Sequence, residues 1–208
     1  MSGRKSIVVV GGGAAGATIT RILSSKVDPN TTSLTLVTAR PFALHLPAAI
    51  RMTTTSEGKL EDSILIPYES LLVKDNGTIK IGRVTAIEQG KGGRDGTVVL
   101  ASSERVHYDY LVLAPGSEWE GPLAIPDDRA AVLEHIRLWR RKFESAKGGI
   151  ILAGGGAVGL GTFFSLSCLV LTFTFSLLRI CGRDQGCVPR QEGYHRPLGL
   201  SASQLRVP

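Results

Sequence analysis

The chain has 208 residues, of which 43% are hydrophobic and 20% are charged, a composition typical of one or two ordinary globular domains. Its net charge of +6 is too small and too scattered to indicate a nucleic-acid partner. All three cysteines lie in the last quarter of the sequence, so residues 1–160 cannot form a disulfide framework or a thiolate metal site. The apolar stretch before the first glycine run is too short for a secretory signal, and we therefore expect a cytoplasmic protein.

The N-terminal region predicts a strand, a glycine loop and a helix, in that order. Residues 6–10 form a β-branched apolar run typical of a parallel strand that is buried on both faces. Residues 11–16, here called the first loop, follow directly with the pattern G-x-G-x-x-G, and the helix over 17–23 would present its amino end to a phosphate. A glycine turn without a ligand is the alternative. The residues expected to bind a nucleotide are Gly11, Gly13, Ala14, Ala15 and Gly16.

A second parallel strand is predicted at residues 34–37. At its end a dinucleotide-binding domain normally places an acidic residue that binds ribose, and this chain has Thr38 and Arg40 there. The Thr38 hydroxyl can hydrogen-bond a ribose, although it is a weaker acceptor than a carboxylate. Arg40 is a candidate phosphate contact, and the alternative is a solvated arginine at a strand end.

The middle of the chain predicts short strands followed by a helix. Turn signals separate four strand candidates that indicate a small antiparallel insertion, at 79–81, 84–87, 97–100 and 105–108. A buried strand is then expected at 110–113, ending in Ala114-Pro115-Gly116. Apolar residues recur at helical spacing from 127 to 147, and we interpret the arginines between them as a solvated face. The histidines occur singly, so neither a metal site nor a catalytic pair is predicted.

A second strand and loop begin near residue 149. The apolar run 149–153 predicts a buried strand, and residues 154–159, here called the second loop, repeat the pattern G-x-G-x-x-G. Two such loops separated by a β-rich insertion indicate an α/β chain in which one dinucleotide fold, for FAD, is interrupted by another, for NAD(P)H. The residues expected to bind NAD(P)H are Gly154, Gly156, Ala157, Val158 and Gly159.

With these motifs the sequence resembles the two-dinucleotide-domain flavoprotein oxidoreductases, within the apoptosis-inducing-factor-like and ferroptosis-suppressor-like branch. The resemblance extends over residues 5–160. The chain departs from the family pattern at Thr38, where an acid is usual, and at Pro115, where threonine is usual. The segments that carry the resemblance are the two loops and residues 45–51, 66–68 and 108–117.

The resemblance implies a Rossmann-like FAD/NAD(P)-binding fold that passes hydride from NAD(P)H to flavin and then electrons to a quinone or another small-molecule acceptor. Because the flavin supplies the chemistry, no catalytic side chain is predicted. The implied division is an FAD-binding portion with the β insertion over 1–147, the opening strand and loop of an NAD(P)H-binding domain over 148–160, and a non-family tail over 161–208. Further FAD contacts are expected at Arg51, Val84, Ala114 and Gly116.

The tail departs from the family pattern after Leu160. Residues 160–178 carry no charge and include four of the six phenylalanines, so one interpretation is a membrane span. The interpretation we favour is a translated intron, because Gly161-Thr162 and Arg179 can be encoded with splice signals around a segment whose length is not a multiple of three. Residues 181–197, read one base later, can encode the Ala-Gly-Glu-Ile helix and the apolar strand expected next.

On this interpretation the chain is incomplete at its C-terminal end, with an unpaired sheet edge and exposed apolar surface. We then expect an inactive or weakly active fragment of an FAD-dependent NAD(P)H oxidoreductase. The alternative is a non-catalytic nucleotide-binding form, or a truncated form anchored to a membrane through residues 160–178. Peripheral membrane association is compatible with either function.

The intron interpretation predicts a second transcript. Amplification of cDNA across codons 160–180 is expected to yield a shorter, spliced product whose downstream frame encodes Ala-Gly-Glu-Ile after the second loop. Failure to find any spliced product would contradict the interpretation.

Overall fold

The computed structural model describes residues 4–90, 92–93, 95–147 and 150–167. The frame-shifted segment, and most of the stretch considered as a membrane span, lie outside the described residues. The strands are β1 (Lys5–Val10), β2 (Thr32–Thr38), β3 (Phe42–Leu44), β4 (Leu65–Pro67), β5 (Thr78–Ile81), β6 (Val84–Gln89), β7 (Gly96–Leu100), β8 (Arg105–Tyr108) and β9 (Tyr110–Leu113). The α-helices are α1 (Ala14–Lys26), α2 (Leu46–Thr54), α3 (Glu61–Ile64), α4 (Arg129–Glu144) and α5 (Ala157–Ser167), and 3-10 turns occur at Glu57–Lys59, Val73–Asp75 and Gly121–Leu123.

The core of the molecule is a parallel sheet with strand order β5-β2-β1-β9. Successive side chains of β1 alternate between the two faces of this sheet, as a strand requires. Val8 and Val10 pack in a cluster with residues of β7 and β8, whereas Val9 packs in a cluster with Ile19 and Leu23 of α1. Val8 and Val9 are fully buried, which confirms the predicted parallel strand buried on both faces.

The antiparallel insertion has three strands, β6-β7-β8, and not the four that the sequence predicted. Residues 78–81 instead form β5, which pairs in parallel with β2 from Thr35 to Thr38. The Asn76 side chain fixes the entry to β5, because its amide donates to the carbonyls of Ser24 and Val27 at 2.9 and 2.8 Å. This anchoring at the end of α1 places the strand beside β2, an arrangement that turn signals alone could not reveal.

The expected buried strand at 110–113 is β9, but it is only partly buried. β9 pairs with β1 on one side and is an edge strand among the described residues, so 60% of Tyr110 and 57% of Leu113 are exposed. Asp109 aligns its start, since the carboxylate accepts a hydrogen bond from the Ser6 backbone N–H at 2.7 Å. That bond and the ion pair with Lys5 lower the pKa of Asp109.

The predicted strand at 149–153 is wrong for the residues that the structure describes. Residues 150–153 contain no strand, apart from an isolated bridge residue at Ala153, and 75% of Ile151 is exposed. A parallel strand forms by hydrogen bonding to a neighbouring strand. The sheets formed by the described residues contain no strand from this segment.

The helix predicted from 127 to 147 is α4, and it begins after Asp128, whose carboxylate caps it by accepting from the Ala131 N–H at 3.0 Å. The expectation that its basic residues are all solvated is wrong for Arg140. Only 12% of the Arg140 side chain is exposed. Its guanidinium donates to the Met52 carbonyl at 2.9 Å and pairs with Glu61 at 3.1 Å. Arg140 therefore joins α4 to α2 and α3.

Replacement of Arg140 by methionine is expected to lower the free energy of unfolding of the full chain by about 1–3 kcal/mol, because a buried carbonyl and Glu61 both lose a partner. Urea unfolding measures this loss, and Arg141→Met, on an exposed position of α4, serves as the control with a change below about 0.5 kcal/mol. Equal losses in the two variants would contradict the assignment.

The effect of Arg140 should also depend on pH. Burial alone would raise the pKa of Glu61, but the hydrogen bond and positive charge of Arg140 lower it below its ordinary value. The stabilisation is therefore complete above the pKa of Glu61 in the unfolded chain and is lost as pH falls through its lowered pKa in the folded chain. The difference in stability between the wild-type chain and Arg140→Met should shrink over that acidic range.

Candidate dinucleotide-binding site

The first loop lies at the carboxyl end of β1, between β1 and β9. The chain leaves β1 towards β2 and β5 on one side and returns as β9 on the other, so this edge is a topological switch point. Gly11 continues the sheet by donating to the Val37 carbonyl at 2.8 Å, and Ala114 continues it by donating to the Val10 carbonyl at 2.8 Å. Ligands of open parallel sheets bind in the crevice at such a switch point.

Close backbone packing makes glycine necessary at two positions of the first loop. Gly11 has φ +107°, and a Cβ atom there would overlap the carbonyl oxygen of Ala114. A Cβ atom on Gly16 would overlap the carbonyl oxygen of Gly11. The loop is therefore held between the end of β9 and the first turn of α1, as the G-x-G-x-x-G pattern predicts.

The amino end of α1 presents free hydrogen-bond donors. Gly13 caps the helix without a side chain, and a Cβ atom there would meet nothing within 4 Å. Ala14 and Ala15 are exposed, and the first turn of the helix contains no acidic residue. The unpaired N–H groups of this turn and the positive end of the helix dipole suit an anion such as a diphosphate. The structure thus brings Gly11, Gly13, Ala14, Ala15 and Gly16 together as expected.

Thr38 lies under the first loop and meets a residue that sequence reasoning missed. Tyr68, which follows β4, donates its hydroxyl hydrogen to the Gly12 carbonyl at 2.7 Å, and its oxygen lies 3.4 Å from Thr38 Oγ1. Only 7% of Tyr68 and 4% of Thr38 are exposed. Burial raises the pKa of Tyr68, so the phenol stays protonated as a donor at neutral pH.

The only sequence signal for Tyr68 was its place in the segment 66–68 that carries the family resemblance. It is separated from Gly12 by more than fifty residues, and neither periodicity nor a glycine pattern connects the two positions. Only the packing of β4 near the first loop brings them into contact.

Arg40, expected as a phosphate contact, has protein partners in this structure. Its Nε donates to Asp127 at 2.9 Å and another guanidinium nitrogen donates to the Ile125 carbonyl at 2.7 Å. Asp127 is also paired with Arg83. Arg40 thus connects the segment after β2 to the segment that leads into α4. A phosphate ligand would have to share this guanidinium with Asp127.

Of the four FAD contacts expected from the resemblance, two follow β9 near the first loop and two have partners elsewhere in the fold. Ala114 touches Gly11 at the switch point, and Gly116 has φ +77° with open space where a Cβ would lie. Arg51, on α2, pairs with Glu57 at 3.0 Å, and Val84, at the start of β6, packs against the cluster between the two sheets. The described contacts of Arg51 and Val84 therefore connect them to other parts of the fold.

The second loop repeats the local geometry of the first. Gly154 has φ +108°, against +107° for Gly11, and a Cβ atom on Gly159 would overlap the carbonyl oxygen of Gly154. The first helical hydrogen bond is also alike, since Leu160 donates to Gly156 at 2.9 Å where Ala17 donates to Gly13 at 2.8 Å. Ala157 and Val158 open α5 with exposed side chains.

The surroundings of the two loops differ. A Cβ atom on Gly154 would meet nothing within 4 Å, whereas Gly11 is packed against Ala114. Beside the second loop lies a cavity of about 480 Å³ with an apolar lining. Its walls include Ile50 of α2, Trp119, Trp139, Phe143 and residues 150–154.

Two other findings concern only the part of the chain that the structure describes. Its His, Cys, Asp and Glu residues form no group of three that could hold a metal ion. None of its helices combines the length and the apolar character needed to cross a membrane.

The chain matches known oxidoreductases over most of its length. The family described as "Pyridine nucleotide-disulphide oxidoreductase" matches residues 5–169. The FAD-dependent oxidoreductase FVFD30 of Flammulina velutipes is 40% identical over 109 residues, which are 52% of this chain and 33% of that protein. Ferroptosis suppressor protein 1 of Taeniopygia guttata is 30% identical over 165 residues, which are 77% of this chain and 40% of that protein. The chain thus spans well under half the length of these relatives.

A comparison of folds agrees with this match. The structure of an NAD-dependent persulfide reductase from A. fulgidus superposes with a TM-score of 0.56 at 21% identity, covering 82% of this chain and 33% of that one. This likeness confirms the predicted α/β Rossmann-like fold. The resemblance to apoptosis-inducing-factor-like and ferroptosis-suppressor-like proteins is likewise confirmed. The chain therefore belongs to the pyridine nucleotide-disulphide oxidoreductase family, whose FAD-dependent members use FAD and NAD(P)H.

Proposed function

We propose that this chain provides the FAD-binding loop, and the start of the nicotinamide-binding unit, of an FAD-dependent NAD(P)H oxidoreductase. The observation that carries the proposal is the repeated glycine turn, with φ +107° at Gly11 and +108° at Gly154, each followed at once by a helix. The acceptor we propose, a quinone or another small molecule, rests on the family resemblance.

The first loop fits the diphosphate of FAD. A Cβ atom on Gly13 would meet nothing within 4 Å, so this part of the loop has room for a ligand, and the first turn of α1 has no acidic residue that would repel an anion. The overlap that a Cβ would cause at Gly11 and Gly16 supports this proposal, because a dinucleotide-binding turn requires such close backbone packing. When bound, the flavin supplies the hydride and electron chemistry, and the residues of this chain bind and orient it.

We propose that Gly13, Ala14, Ala15 and Gly16 hold the diphosphate through backbone donors and the helix dipole. Thr38 stands at the ribose position of the fold and is uncharged, so any contact to the adenosine would be a neutral hydrogen bond. For the second loop we propose NAD(P)H at the N–H groups from Gly156 to Gly159, at the corresponding positions of α5.

A second candidate function is a non-catalytic nucleotide-binding form. The observation that favours it is the segment before the second loop, where residues 150–153 form no strand and Ile151 is exposed. In a dinucleotide fold the sheet fixes the position of the loop relative to the ligand, and within the described ranges only the first loop has strands on both sides. We therefore propose that the chain binds FAD more tightly than NAD(P)H and turns over weakly or not at all.

A charge substitution tests the assignment of the first loop. Ala14→Glu should weaken FAD binding by about tenfold or more, because a carboxylate would face the diphosphate at close range. The helix itself should not be destabilised, since an acidic residue in the first turn interacts favourably with the helix dipole. FAD binding is measured by quenching of flavin fluorescence, and stability by thermal unfolding.

Ala157→Glu is the matched control, because Ala157 opens α5 as Ala14 opens α1 and is exposed in the same way. It should leave FAD binding unchanged and weaken any binding of NAD(P)H. Unchanged FAD affinity in Ala14→Glu would contradict the proposed site.

The two candidate functions differ in the response of bound flavin to reductant. If the chain alone is a non-catalytic binder, NADH or NADPH added under anaerobic conditions should leave the absorbance of oxidised flavin unchanged, while dithionite bleaches it. Rapid bleaching by either nicotinamide would contradict the non-catalytic form and support direct hydride transfer in this chain.

A further inference from the structure

The Tyr68 hydroxyl is the one side-chain donor that the structure places on the backbone of the first loop among the described residues. It lies in a cluster with Val9, Leu34 and Leu36, and it donates to the Gly12 carbonyl at 2.7 Å. The bond is short and buried, and the phenol reaches the loop from the residue that follows β4 and not from the strands that flank the loop. This contact does not belong to the G-x-G-x-x-G pattern.

The bond to Gly12 also determines where Gly13 points. The Gly12 carbonyl and the Gly13 N–H belong to one planar trans peptide, so they point in opposite directions. With the carbonyl directed at Tyr68, the N–H is directed away from the protein core. A Cβ atom on Gly13 would meet nothing within 4 Å, and among the described residues its N–H has no hydrogen-bond partner. Tyr68 therefore orients an unused donor at the amino end of α1.

Glycine loops need such a constraint because glycine residues adopt more backbone conformations than any other residue. Gly12 can lie this close to the hydroxyl groups only without a side chain, since a Cβ there would overlap the Tyr68 hydroxyl and come within 2.5 Å of Thr38 Oγ1. The hydrogen bond selects one orientation of the peptide between Gly12 and Gly13. Without it, that peptide could rotate and the N–H would no longer face outward.

Thr38 accounts for the direction of the Tyr68 proton. Tyr68 has a single proton to donate, and Thr38 offers it only a hydroxyl at 3.4 Å, a longer contact than the 2.7 Å to Gly12. Thr38 also has its own acceptor, the Arg40 carbonyl at 3.2 Å. A carboxylate at this position would be a stronger acceptor and would compete with Gly12 for the phenol proton. The neutral residue at the end of β2 thus leaves the phenol proton for the loop.

We infer that Tyr68 is a positioning residue whose hydroxyl, by holding the Gly12 carbonyl, directs the Gly13 N–H at the diphosphate of the bound cofactor. The inference rests on the proposed binding of FAD to the first loop. It concerns the diphosphate and not the adenosine, because the peptide that Tyr68 fixes lies at the amino end of α1.

The test is Tyr68→Phe in the full chain, which removes one hydroxyl and keeps the ring in its cluster. The dissociation constants for FAD and for ADP should rise about tenfold, the effect of one buried hydrogen bond at the upper end of its usual range. The dissociation constant for adenosine, which has no diphosphate, should be unchanged. Calorimetry or fluorescence competition measures all three ligands, and a general loss of loop structure would weaken adenosine as well.

Two variants serve as matched controls. Tyr110→Phe removes a hydroxyl from an exposed tyrosine of β9 and should change none of the three constants. Thr38→Val removes the other hydroxyl under the loop but leaves the bond from Tyr68 to Gly12, so the ratio of ADP to adenosine affinity should stay near that of the wild-type chain.

Hydrogen exchange of the wild-type chain provides a test that does not depend on the folding of any variant. Addition of ADP should slow hydrogen exchange of the Gly13 amide, and adenosine should not. Unprotected Gly13 with ADP bound, unchanged ADP affinity in Tyr68→Phe, or equal losses for ADP and adenosine would each overturn the role of Tyr68. A wild-type chain that binds neither FAD nor ADP would overturn the proposed function and this inference together. Titration of the wild-type chain alone therefore separates failure of the proposed function from failure of the role of Tyr68.

Discussion

The close approach of the first loop to the end of β9 is the constraint on which the rest of the site depends. Gly11 lies against the Ala114 carbonyl, and Gly16 lies against the Gly11 carbonyl, so a side chain at either position would push strand, loop and helix apart. This packing places the amino end of α1 over the carboxyl end of β1 and leaves Gly13 facing open space. The recognition of a diphosphate that we propose for this loop would use backbone groups and needs no charged side chain.

The charged residues near this edge form ion pairs and hydrogen bonds that connect segments of the protein to one another. Arg40 and Arg83 share Asp127, and so they hold the segment before α4 against the end of β2. Arg140 does the same between α4 and the helices before it. Polar contact with the first loop comes instead from the hydroxyl of Tyr68, beside Thr38. The two side chains that lie against Gly12, those of Tyr68 and Thr38, are uncharged.

A comparison of the two glycine loops shows which features of a dinucleotide fold depend on neighbouring residues and which depend on distant ones. Both adopt the same turn, because glycine at positive φ and the first helical hydrogen bond are properties of a few neighbouring residues. Among the residues that the structure describes, only the first loop is flanked by strands, since a strand is stabilised by a partner distant in sequence. Ile151 is exposed in consequence, and the second loop lies beside an apolar cavity where the first lies against a sheet.

The sequence alone determined β1, the first loop, α1, β2 and the turn of the second loop, because each depends on glycine pattern and apolar periodicity within a short window. Tertiary structure decided that residues 78–81 join the parallel sheet, that Arg40 and Arg140 bind protein groups, and that Tyr68 reaches Gly12. These outcomes depend on contacts between residues far apart in the chain. Their energies come from burial and from satisfied polar groups, which no local pattern of residues encodes.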